Sequence, residues 1–147
     1  MKKNFSSMSE KEVMLLNTAT LAYIGDCIYE LMVRKRIIEL NCYLPISKLH
    51  ELTVEKVNAS SQALAYDYIE KNLLDKDREI IKRGRNNNSN HCPKNFNPIE
   101  YKKATGLETL FGYWYLLNND DMLLTYFDKI FDFLENSDVV SINKYKK

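Results

Sequence analysis

Residues 18–40 run without a proline, and their apolar side chains recur all the way round a helical cylinder. Leu21, Ile24, Ile28, Leu31 and Met32 follow one helical stripe. Ala19, Ala22, Tyr29, Val33 and Ile37 follow the opposite side. A helix apolar on every side is expected at the centre of a bundle, with other helices wrapped around it. Asn17 or Thr18 is its expected cap. The rest of the chain agrees with this demand for helices. Four glycines and three prolines in 147 residues leave too few turns for a many-stranded sandwich or barrel. The length suits one domain, read here as residues 1–147 with a core at about 17–134.

The remaining pattern predicts further helices and no convincing strand. Residues 46–72 read as two helices with a joint near 58–61. A short helix runs from Asp75 to Arg83, with Gly84 as its stop. Residues 85–97 are a polar, Asn-rich loop. Asn97 followed by Pro98 reads as a cap and first helical residue, opening a helix to about 117. Its second half, Phe111 to Leu117, is apolar on all sides and must be deeply buried or form a subunit interface; Phe111, Trp114 and Tyr115 are the interface candidates. A last helix covers about 121–134, and the tail beyond is expected to fray. The fold class is therefore all-α.

Two carboxylates sit where helices tolerate them poorly. Asp26 follows Gly25 in the middle of the apolar helix, and Glu108 lies between Gly106 and Gly112. Aspartate is a weak mid-helix residue, and an unpartnered buried acid is costly. Glycine within a helix allows another backbone or a ligand to come close. Two hard oxygen donors on rigid helices would suit Mg²⁺, which keeps several waters and takes one or two carboxylates. The alternative is a pair of ordinary acids, each satisfied by an Arg or Tyr. Glu30 has Arg34 one turn on, and an ion pair is expected there.

Net charge is only +1, from 21 basic and 20 acidic residues, which argues against nucleic acid if read as a total. The total conceals two blocks. Residues 80–105 carry Lys82, Arg83, Arg85, Lys94, Lys102 and Lys103 against Glu100, a local charge of +5. Residues 106–138 carry seven acids against Lys129, a local charge of −6. Three of the five arginines fall between Arg78 and Arg85, where a planar fork would serve phosphate. Cys27, Cys42 and Cys92 are odd in number and lack zinc-ligand spacing; the adjacent His91 and Cys92 make a poor metal pair. With no signal core and no long apolar segment, the expected location is the cytoplasm, away from membranes.

Residues 21–30, LAYIGDCIYE, resemble the signature helix of the ribonuclease III catalytic domain, and residues 104–113, ATGLETLFGY, resemble its second acidic motif. Arg83 to Asn86 (RGRN), Pro93 to Asn95 (PKN) and Tyr101 to Thr105 (YKKAT) look like the Mini-ribonuclease III branch of that family. The likeness spans nearly the whole chain. It implies a ribonuclease III endonuclease-like helical bundle without an appended double-stranded-RNA-binding domain, acting as a homodimer with one active site per subunit. It further implies a Mg²⁺-dependent endoribonuclease for double-stranded or structured RNA, with the ends of the 23S ribosomal RNA precursor as target. Asp26 and Glu108 would be the catalytic, metal-holding residues. Lys82, Arg83, Arg85 and Lys94 would contact phosphates, with Asn86 and Asn95 as hydrogen-bond donors. The chain departs from the family pattern at Ala19, Ala22 and Thr105, where fuller members carry acids, and near Asn88, where the branch usually has a Lys. A non-catalytic RNA-binding or ribosome-associated module with a degenerate version of this fold is the alternative.

Overall fold

The computed structural model describes residues 8–87 and 92–136, and among them every regular element is helical. In chain order they are α1 Glu10–Met14, α2 Thr18–Leu40, α3 Ile46–Val57, α4 Ala59–Glu70, α5 Asp75–Arg85, α6 Pro98–Leu116 and α7 Asp120–Asn136. The expected tail beyond Asn136, Asp138 within the acidic block, and the departure near Asn88 lie outside the described residues, as does His91.

Local chemistry accounts for most boundaries. Asn17 caps α2 by accepting from the Ala19 amide, and Asn97 caps α6 by accepting from Ile99 and Glu100 ahead of Pro98. Asn58 ends α3 and caps α4 through Ser61, so the expected joint is a single residue. At the end of α6, Asn118 takes a left-handed φ of 55°, where a short polar side chain substitutes for glycine, and Asn119 donates back to the Trp114 carbonyl at 2.8 Å. Helix α1 has no counterpart in the sequence reading, although its signal is there. Ser9 and Glu12 form a reciprocal capping box, the Ser-x-x-Glu pattern of a helix start. Val13 from this helix is fully buried, so the core begins before the expected position 17.

Helix α6 is the hub, packed by α2, α4, α5 and α7, while α3 lies on α2. Leu107, Leu110, Phe111 and Trp114 of α6 meet Leu21 and Tyr29 of α2, Tyr66 and Ile69 of α4, Ile80 and Ile81 of α5, and Ile130 of α7. The Tyr29 ring stands edge-on to Phe111 at 5.3 Å, and Trp114 stacks on Tyr126 at 5.2 Å while donating to the Asp77 carboxylate at 3.1 Å. Phe111 and Trp114 are 0% exposed. They are core residues with no surface to offer a partner, which removes both from the expected dimer interface; truncating either to Ala would cost about 3–5 kcal/mol. Tyr115 remains at the surface.

The expectation for α2 also changes. It is central, but it is not wrapped on every side. Tyr23 is 80% exposed, Leu31 60% and Ile38 52%, and Cys27 lies open between the first two. The apolar side chains that made this helix look fully buried include an open stripe at positions 23, 27, 31 and 38. Asp26 sits beside that stripe and is exposed rather than buried.

Candidate active site

The glycines show how the two carboxylates are brought together. A Cβ built on Gly25 would lie 1.6 Å from the Glu108 carbonyl oxygen, and one on Gly112 would lie 1.9 Å from that of Leu21. Helices α2 and α6 therefore cross backbone to backbone, at a distance only glycine allows on both sides. The residue after Gly25 is Asp26, and the residue whose backbone it touches is Glu108. A second crossing repeats the device. A Cβ on Gly84 would meet the Thr109 hydroxyl at 2.4 Å, and one on Gly106 the Ile81 carbonyl at 2.7 Å. Gly84 is thus a contact inside α5, which runs on to Arg85, and not the helix stop expected from sequence.

The crossing leaves Glu108 largely shielded and Asp26 at the rim. Burial, and then the nearby Asp26 charge, push the Glu108 carboxyl up from 4.5 to about 8, while a hydrogen bond with the Gln62 side chain pulls the other way. Asp26 is raised by partial burial and by Glu30. Glu30 forms the expected ion pair with Arg34 at 3.2 Å. Among the described residues, neither of the two site carboxylates has a basic side chain or a tyrosine hydroxyl bonded to it, so the Arg or Tyr partner of the alternative reading is not found there.

A cleft of about 170 Å³ opens beside Glu108, lined by Val57, Gln62, Phe96, Tyr101 and Thr105 among others. Gln62 is 3% exposed and its Oε1 has no hydrogen-bond partner among the described residues. Two carboxylates that repel each other, and a buried, unsatisfied amide oxygen on a residue lining a cleft with room for several waters, fit a hydrated divalent cation. No group of three or more His, Cys, Asp or Glu that could hold a metal occurs among the described residues, so a cation here would be held by these two acids and its own waters.

The expected phosphate contacts divide into open and engaged side chains. Lys82, Arg83 and Asn86 are exposed at the C-terminal end of α5, and Lys94 and Asn95 are exposed ahead of α6. Arg83 also donates to the Leu16 carbonyl at 3.4 Å. Arg85 is turned inward. Its guanidinium lies 5.7 Å over the Tyr66 ring and 3.8 Å from Glu70, and its Nε donates to Asn86 at 3.2 Å. Arg78 donates to the carbonyls of Glu70, Lys71 and Leu73, so it clasps the end of α4 and serves no phosphate. Of the residues lining the cleft, Gln62, Phe96 and Tyr101 carried no role in the sequence reading. Gln62 had one signal, a polar amide among small and apolar residues of a buried helix face.

The description Ribonuclease III domain matches residues 19–119, a span that holds both crossing helices. A Mini-ribonuclease 3 of Clostridium tetani is 39% identical over 125 residues, covering 84% of this chain and 83% of the relative. That of Desulfitobacterium hafniense is 36% identical over 123 residues, covering 84% and 77%. A crystal structure of a protein from Fusobacterium nucleatum superposes with a TM-score of 0.72 at 31% identity, over 82% of this chain and 95% of that one. Since the family match spans residues 19–119, which include both glycine crossings with Asp26 and Glu108, and the relatives are well above 30% identical over most of the chain, the chain belongs to the ribonuclease III family and is an endoribonuclease.

Proposed function

We propose that this endoribonuclease is a cytoplasmic, Mg²⁺-dependent homodimer that cuts double-stranded or structured RNA. The observation that carries this reading is the convergence of Asp26 and Glu108 at the α2–α6 crossing, in a member of this family. The precursor of 23S ribosomal RNA is the target implied by the family resemblance.

Asp26 and Glu108 would hold the cation. When bound, Mg²⁺ supplies charge neutralisation at the scissile phosphate and an acidified water. Glu108 contributes fully only as a carboxylate, so cation binding at neutral pH takes a proton from it. Hydrolysis forms one bond from the water oxygen to phosphorus and breaks the bond from phosphorus to the 3′ oxygen, which takes up a proton. The products carry a 5′-phosphate and a 3′-hydroxyl. Lys82, Arg83 and Lys94, with Asn86 and Asn95, would hold neighbouring phosphates of an A-form helix, which is recognised by shape and backbone. Arg85 would act by fixing Asn86. Free cysteines at positions 27, 42 and 92 suit a reducing compartment, and no helix among the described residues is long and apolar enough to cross a membrane.

The homodimer reading rests on the open stripe of α2. Contiguous exposed apolar side chains at Tyr23, Cys27 and Leu31 are unusual on a monomer and mark an interaction face. That stripe replaces the buried Phe111 and Trp114 as the interface candidate. The experiment is a cleavage assay on a perfect RNA duplex. Wild-type protein should cut with Mg²⁺ and stop with a chelator, and folded Asp26→Asn should not cut; undiminished cutting by that variant would remove Asp26 from the site.

A further inference from the structure

We infer that Gln62 is a positioning residue of the cation site, holding the Glu108 carboxylate with its amide and offering its carbonyl oxygen to water in the cleft. This rests on reading Asp26 and Glu108 as the cation's ligands.

The amide is clamped from behind. Gln62 Nε2 donates to the carbonyl of Val57, the last residue of α3, at 3.0 Å. An amide nitrogen has a second hydrogen, and Glu108, whose carboxyl Gln62 draws back toward the charged form, lines the same cleft. Gln62 is therefore anchored to the backbone at the end of α3 and faces the same cleft as the carboxylate on α6. Its Oε1 is the unusual atom. It is buried, it has no partner among the described residues, and the cleft that Gln62 lines also touches Glu108.

An unpaired buried amide oxygen costs stability, and such an atom in a folded protein calls for a reason. Leucine has a similar volume and would avoid the cost. A hydrated cation supplies the missing donor. Mg²⁺ keeps most of its water shell, and those waters need acceptors. A third acid at this position would accept as well, but it would add to the repulsion between Asp26 and Glu108. A neutral amide accepts without adding charge, and its clamped nitrogen fixes which way the oxygen faces. Partners of this kind beyond the direct ligands typically change metal affinity or activity by about 10- to 100-fold when removed.

The test is direct binding of Mn²⁺, followed by electron paramagnetic resonance on the full-length chain, beside Mg²⁺-dependent cutting. Gln62→Leu should melt close to wild type, bind Mn²⁺ about tenfold or more weakly, and need proportionally more Mg²⁺ to reach half-maximal cutting. Gln62→Glu should bind Mn²⁺ more tightly than wild type, because the cation gains a third carboxylate. If Gln62→Leu fails to fold, Gln62→Glu decides alone, and unchanged Mn²⁺ affinity in it overturns the inference. Wild-type binding with both variants equal to wild type overturns the role of Gln62 only. Absence of Mn²⁺ binding by the wild type overturns the reading of Asp26 and Glu108 as ligands, and this inference with it.

Discussion

Replacing Glu108 with Gln should stabilise the cation-free protein, and by an amount that depends on pH. In the folded chain this carboxyl titrates near 8, raised from 4.5 first by burial and then by the Asp26 charge. Between those two values the folded state holds a proton that the unfolded state has released. Stability therefore falls as pH rises through that window, by about 1.4 kcal/mol per pH unit. At pH 5 the cost is small; at pH 7 it reaches about 3 kcal/mol, a large share of the 5–15 kcal/mol that a domain usually has. Glutamine mimics the protonated acid and does not ionise, so the variant should lose this slope. The assay is urea unfolding with chelator present, at pH 5, 6, 7 and 8. The wild-type and variant curves should start together and separate steadily, with the variant the more stable. Added Mg²⁺ should then close the gap for wild type alone, since binding to the folded state stabilises it. Parallel curves across the range would show that Glu108 is already ionised and solvated, and the argument from burial would fail.

Asp26→Asn removes the second cause of that shift, so the upper edge of the Glu108 stability window should fall to lower pH while cutting is lost; thermal melting within a few degrees of wild type checks that the fold survives. Gly25→Ala should destabilise at or beyond the roughly 3 kcal/mol upper end of overpacking costs, because the added methyl meets a rigid backbone oxygen; a urea midpoint like that of wild type would refute the close crossing. Leu31→Lys should shift sedimentation from dimer to monomer without changing the helical circular dichroism, and a dimer that persists would move the interface elsewhere. Lys82→Ala and Lys94→Ala should each lower the slope of log affinity for duplex RNA against log salt by about one, measured with a non-cutting Asp26→Asn background, whereas an unchanged slope would take that side chain off the phosphates.

What could be read in the sequence divides along a physical line. Helix positions, caps and joints follow from spacing along one segment, and Asn17, Asn58 and Asn97 act where local rules place them. The pairing of Asp26 with Glu108 was visible for a different reason. Each acid stands beside glycines that a helix would otherwise avoid, and glycine in a helix advertises a neighbour without naming it. Burial is where local reading failed. A sequence can show that α2 is apolar on every side, but not that its Tyr23–Leu31 face stays open among the described residues. The same gap left Phe111 and Trp114 open between deep burial and an interface, and they end up inside.

Charge shows the gap from the other side. Arg78, Arg83 and Arg85 are close in sequence and look like one basic cluster. On α5 their side chains fan apart, so that Arg78 caps a helix, Arg85 rests on Tyr66 and only Arg83 stays at the surface with Lys82. Near neutrality over the whole chain therefore overstates the loss of affinity, and the local +5 overstates the gain. An interface built from so few open cations per chain would bind RNA weakly and with strong sensitivity to salt. In the proposed homodimer, two subunits would double those contacts on one duplex, which would make the open stripe of α2 a condition for RNA binding as well as for assembly. A monomeric variant should accordingly lose RNA affinity even though every residue of its site and every phosphate contact is intact.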